Sequence, residues 1–179
     1  MMKHQSFIAL AVSLLALAVA TASPSMAGTT FPYHNPGFNA EMATTAGSVA
    51  EAFNKLGYKS SWHRDSRGNP HLVLKNPPAA AKEVAIFFDD CGPHGCEDIT
   101  FYANFGPSSK ATLERINNWN HIGSKTRSKA FISSNGGNPV GLSHTVSFFG
   151  RHDEKKIGLS AGLFILEIKL FSHNYLGHK

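Results

Sequence analysis

Residues 84–105 read VAIFFDDCGPHGCEDITFYANF, and residues 106–120 continue GPSSKATLERINNWN. Two apolar runs flank a short loop closed at its ends by Cys91 and Cys96. Ile86 and Phe88 share one face of the first run. Ile99, Phe101, Ala103 and Phe105 share one face of the second, with Thr100, Tyr102 and Asn104 on the other. Gly92, Pro93, His94 and Gly95 supply turn chemistry. The pattern predicts a β-hairpin. The helix after Pro107 is expected to start near Ser108 or Ser109, either of which can cap it. It shows Leu113, Ile116 and Asn120 on one side and closes with Asn117, Trp119 and Asn120.

On the N-terminal side, Met42, Ala46, Val49, Phe53 and Leu56 recur at helical spacing from about Ala40. Gly57 follows where a left-handed stop is needed. Tyr58–Arg64 and His71–Lys75 read as strands around an Asp65–Asn69 turn. Beyond the hairpin, Lys129–Ser133 and Val140–Phe149 are strands joined by a turn at residues 135–138, Asn-Gly-Gly-Asn. A last helix is expected from about Ser160 to Tyr175, with Ser160 as its N-cap and RHDEKK before it as a charged loop. Leu163, Phe164, Ile165, Leu166, Ile168, Leu170 and Phe171 cover more than one of its faces, which argues for deep burial or a subunit interface. The order is α-β-β-β-β-α-β-β-α. Short turns between consecutive strands make the sheet antiparallel, with helices on one face: a two-layer α+β domain.

Lys3 and His4 precede the apolar run Phe7–Ala20, and small residues lead to Ala27. A basic start, an apolar centre and small residues at the cleavage point describe a secretory signal peptide over residues 1–27. The run is shorter than the ~20 residues of a spanning helix. Residues 28–39 read as an extended arm and residues 40–179 as one domain. The expected location is periplasmic or secreted, with no membrane span after cleavage. The formal net charge is +5, with the basic residues scattered rather than striped, so no nucleic-acid partner is expected.

Cys91 and Cys96 are the only cysteines. In an exported chain the pair reads as a disulfide staple across the hairpin mouth. A redox pair and a metal site with His94 are the alternatives. Asp89, Asp90, Glu97 and Asp98 surround the same tip, either as a solvated acidic surface or as carboxylates for acid–base or cation chemistry. No histidine pair has the HExxH arrangement. No cofactor is implied. Trp119, Asn117 and Asn120 are the candidate binding residues. They either pack and cap the helix end or face a partner in a groove between helix and sheet.

The Gly57-Tyr58 pair, the strand ending at Cys91, Cys96 leading into DITFYANF, the INNWN helix end and the following KAFI (Lys129–Ile132) carry a resemblance. Over about Ala40 to Tyr175 the chain resembles the YbjN-type proteins, proposed bacterial sensory transduction regulators. Their fold is similar to that of the type III secretion chaperones of the Tir-chaperone-like group. The resemblance implies a chaperone-like α+β fold and no catalytic residues. The chain departs from it by carrying a signal sequence, where members without one act inside the cell. Residues and resemblance together predict an exported, non-enzymatic binding or regulatory module that captures a protein segment or peptide, as a homodimer. The alternative is a metal- or small-molecule-binding envelope sensor, or a small enzyme, built on the Cys91–Cys96 hairpin tip.

Overall fold

Alternation of apolar and polar residues builds the centre of the molecule. The computed structural model describes residues 40–65, 68–92, 95–121, 126–134, 137–148 and 153–177. The expected signal peptide and N-terminal arm lie outside them, as does His94. In chain order the elements are α1 (Ala40–Lys55), β1 (Ser60–Arg64), β2 (Pro70–Leu74), β3 (Glu83–Gly92), β4 (Gly95–Pro107), α2 (Leu113–His121), β5 (Lys129–Ile132), β6 (Pro139–Ser147) and α3 (Glu154–Leu176). The strands form a six-stranded sheet in the order β1-β2-β3-β4-β6-β5. Every pairing is antiparallel. The α+β class and the element order are those that the sequence predicts.

One sheet face is apolar because the period of a strand is two. Leu72, Leu74, Val84, Ile86, Phe88, Ile99, Phe101, Ala103, Phe105, Leu142 and Val146 lie on it and are buried. The helices cover this face. Ala46, Val49 and Phe53 of α1, Ile116 and Trp119 of α2, and Ile157, Phe164, Ile168 and Phe171 of α3 complete the core. Phe101 joins the layers, with its ring 6.0 Å from Phe53 and 5.7 Å from Phe164.

Several local expectations are corrected. Leu56 is 42% exposed, because α1 stops at Lys55 and Gly57 turns the chain away with φ +86°. The helix after Pro107 does not start at Ser108 or Ser109. Residues 108–111 form a turn closed by the Ala111 N–H on the Ser108 carbonyl. Thr112 then caps α2, its hydroxyl accepting from the Arg115 N–H at 3.3 Å. Leu113, at the first position of α2, is therefore 71% exposed.

The largest correction is in α3. Its N-cap is Asp153, whose carboxylate accepts from the Lys156 N–H at 2.9 Å. Ser160 is not a cap but a buried residue inside the helix. Glu154, Lys155 and Lys156, expected in a loop, are the first turn. An acidic cap and an acidic first residue suit the positive end of the helix dipole. Gly177 ends the helix in the left-handed conformation. Its many apolar residues divide, and the burial reading holds for part of them. Phe164, Ile165, Ile168 and Phe171 are core, while Leu159, Leu166 and Leu170 are exposed.

Candidate functional site

The three candidate binding residues lie on the last turn of α2, beside the edge strand β5. The Trp119 indole is 2% exposed. It packs edge-on against Phe171 and Tyr175, at 5.1 and 5.3 Å between centroids. Its N–H donates to the Ser128 carbonyl at 3.2 Å. One residue on, the Asn120 amide grips the backbone of Ala130 twice. Nδ2 donates to its carbonyl at 2.9 Å, and Oδ1 accepts from its N–H at 2.8 Å. The amide thus takes the place of a neighbouring strand along the outer edge of β5, where unpaired backbone would otherwise invite another chain. Asn117 is exposed on the outer side of the helix. The three are not brought together: two hold β5 to α2, and the third faces solvent.

Glu167 holds the approach to β5 from the other side. It interrupts the apolar run of α3, and it is only 5% exposed. Its carboxylate accepts from the Arg127 N–H at 2.6 Å and the Ser128 N–H at 2.9 Å. His144 on β6 is buried between the rings of Phe101 and Phe164. Burial holds its pKa below the ordinary histidine value; nearby Glu167 raises it and Arg127 lowers it further. Its ring contacts and burial make His144 part of the packing between sheet and α3.

At the hairpin tip, Cys91 and Cys96 face each other in register, their sulfurs 2.09 Å apart in a disulfide. The Cys96 N–H donates to the hydroxyl of Thr45, a fully buried residue of α1, at 2.9 Å. The tip is thus fastened to the helical layer. Asp89, Asp90 and Glu97 are exposed and Asp98 is half-buried. Among the described residues, no group of three or more His, Cys, Asp and Glu is placed to hold a metal ion.

The sheet face turned away from the helices carries the arrangement that the sequence hides. His63 pairs with His71 across β1 and β2, their rings 6.1 Å apart. His71 stacks on Phe87 of β3 at 5.0 Å. Phe87 meets Tyr102 of β4 at 6.4 Å, and Tyr102 meets Phe131 of β5 at 5.9 Å. The Phe131 ring lies over Gly141 of β6, where a Cβ would come 2.5 Å from Cζ of that ring. Five rings therefore cross all six strands as one row, about 24 Å long at ~4.8 Å per strand spacing. Phe87, Tyr102 and Phe131 are half-buried and His63 is exposed.

Around the rings the face is polar and mostly uncharged. Thr100 and Thr145 share a hydrogen bond at 3.0 Å, Ser143 pairs with Tyr102 in register, and Asn104 follows Tyr102 on the same face of β4. Burial and the nearby Glu83 carboxylate raise the Tyr102 pKa, so its phenol stays protonated. His71 is 8% exposed, and its Nδ1 has no hydrogen-bond partner. Sequence reasoning missed this row. Its one signal is that Phe87 and Tyr102 occupy the phase of the alternation where a solvated face calls for polar residues.

The fold and this face define a two-layer α+β domain that carries a row of aromatic rings opposite its helices. Among solved structures the chain is similar to the crystal structure of YbjN from E. coli, a proposed transcription regulator. The TM-score is 0.49 and the identity 15%, over 72% of this chain and 92% of that one. The likeness to YbjN is one of fold, and no function follows from it. No protein-family model matches the sequence, and no curated protein matches it.

Proposed function

We propose that the chain is an exported, non-enzymatic binding module that holds an unfolded apolar protein segment on the outward face of its sheet. The observation that carries this reading is the row His63, His71, Phe87, Tyr102 and Phe131 across all six strands. Small-molecule sites are concave and enclose their ligand. A row of rings about 24 Å long, at ~4.8 Å per strand spacing, instead suits an extended polymer whose apolar side chains rest on successive rings. Aromatic surface contributes most of the binding energy in such contacts. The Ser143 hydroxyl lies beside the row, in register with Tyr102, where it could bond a peptide backbone. Export rests on the signal-like N-terminus, and among the described residues no helix is long and apolar enough to cross a membrane.

The test compares the chain with a Phe87→Ser/Phe131→Ser variant in binding a reduced, carboxymethylated model protein, read by fluorescence anisotropy. The side chains of Phe87 and Phe131 are half-exposed, so circular dichroism of the variant should match that of the parent. The reading predicts micromolar binding that weakens at least tenfold in the variant. Equal binding by both proteins would overturn it. Binding to a polysaccharide but not to the unfolded protein would overturn the peptide and keep the surface.

A further inference from the structure

Strands β1 and β2 set two histidines directly opposite each other on the outward face of the sheet. His63 and His71 pair in register, with their rings 6.1 Å apart. Side chains in that relation are close enough to act together. Neutral imidazole is the commonest protein ligand for metal ions and suits copper, zinc and nickel. Two imidazoles on one ion bring their ring centres to roughly 5–6 Å, at metal–nitrogen bonds of ~2.0–2.1 Å. His63 is exposed, so a small turn of its ring closes the remaining gap.

The ring nitrogens are free for such an ion. His63 Nε2 meets the Ser61 hydroxyl at 3.0 Å. With a proton on Nε2 donated to that oxygen, His63 keeps its Nδ1 lone pair for a ligand. The serine then orients the ring, as a polar neighbour does behind most metal-bound histidines. His71 is 8% exposed, and its buried Nδ1 has no hydrogen-bond partner. A buried polar atom left unpaired is costly until something satisfies it. An ion taken there breaks no protein hydrogen bond. The His71 ring is stacked on Phe87 at 5.0 Å, so one ligand is held by packing and the other can adjust to it. Asp65, two residues after His63, is not a third ligand: its two carboxylate oxygens accept from the Asn69 N–H and side-chain amide at 2.8 and 3.0 Å.

We propose that His63 and His71 together bind one divalent transition-metal ion, Cu2+ more tightly than Zn2+. Two neutral nitrogen donors do not suit Ca2+ or Mg2+, which take oxygen ligands. Among the divalent first-row ions copper forms the strongest complexes with such donors. Two protein ligands leave the other coordination positions to water, so the ion is exchangeable and held with a micromolar dissociation constant. The site shares its histidines with the aromatic row but does not rest on peptide binding. It needs only the two imidazoles and the free ion.

Calorimetric titration of the metal-free whole chain with CuCl2 and with ZnCl2 tests this site. The expected result is one micromolar equivalent of Cu2+ that weakens at least tenfold in His63→Gln. The circular dichroism spectrum of that variant should be unchanged, because His63 is exposed. His173→Gln, at an exposed histidine of α3, should leave the affinity as it is. On adding Zn2+, the ring-nitrogen NMR signals of His63 and His71 should shift together. Phe131→Ser, at the far end of the row, should weaken binding of the unfolded protein and keep the ion, which separates this site from the function proposed above. A His63→Gln chain that binds Cu2+ as tightly as the parent overturns the proposal. So does a parent without a micromolar ion, or an equal loss in His173→Gln.

Discussion

The Asn120 amide decides between two uses of the α2 terminus, and replacing it separates them. Its two hydrogen bonds to Ala130 join neutral groups at 2.8 and 2.9 Å. Such bonds contribute about 1 kcal/mol each, so Asn120→Ala should cost roughly 2 kcal/mol. In a chain of 179 residues, that lowers Tm by roughly 4–8 °C, at about 2–4 °C per kcal/mol. Asn120→Asp keeps the acceptor for the Ala130 N–H but turns a second oxygen on the Ala130 carbonyl. Near neutral pH it should be no more stable than the alanine variant. It should recover as pH falls and the carboxyl gains a proton to donate. The assay is thermal unfolding by circular dichroism, with hydrogen exchange at the Ala130 amide as a local readout. If Asn120 instead serves a ligand, the alanine variant loses binding and keeps its Tm. A Tm within 1 °C of the parent, with Ala130 still protected, would refute the edge-capping argument.

Glu167→Ala leaves the part-buried Arg127 N–H and the buried Ser128 N–H without their acceptor; at about 1–3 kcal/mol for a buried orphan, it should destabilise the fold clearly, as urea titration would register. Because burial holds His144 neutral, the unfolded chain takes up a proton there before the folded one does as pH falls below about 6.5. Folding stability should therefore drop between pH 7.5 and 5.5, and it should drop less in His144→Leu; equal pH dependence in the two proteins, measured by denaturant unfolding, would contradict this. Reducing Cys91–Cys96 opens a loop of only a few residues and should cost about 2 kcal/mol by the chain-entropy model. Intact mass should rise by two hydrogens, and the sheet should persist.

Much of the architecture was legible because strands and helices announce their buried faces. Phe101 and its neighbours at every second position placed β4, and Val49 and Phe53 placed α1. The start of α3 was hidden because Glu154, Lys155 and Lys156 look solvated, and solvation is equally true of a loop and of an exposed first helical turn. Ser108 looked like a cap, but only packing selects Thr112 over it. Trp119 was legible as a packing residue by its size and its place at a helix end. The aromatic row was not. Its members come from five strands; four lie on consecutive neighbours, but the step from Tyr102 to Phe131 crosses β6 at Gly141, a crossover that no local pattern encodes. Glu167 could have been flagged, since a lone carboxylate inside FILEIKLF has to find donors or stay in water.

The clamp of Glu167 on residues 127 and 128 also sets an order of events in time. Its partners lie 40 and 39 residues earlier in the chain, and α3 supplies much of the cover for β4 and β6. A chain whose α3 has not yet packed cannot close its sheet on the helical side, nor fix the segment that leads into β5. In folding, α3 therefore acts as a latch on two elements made long before it in the sequence.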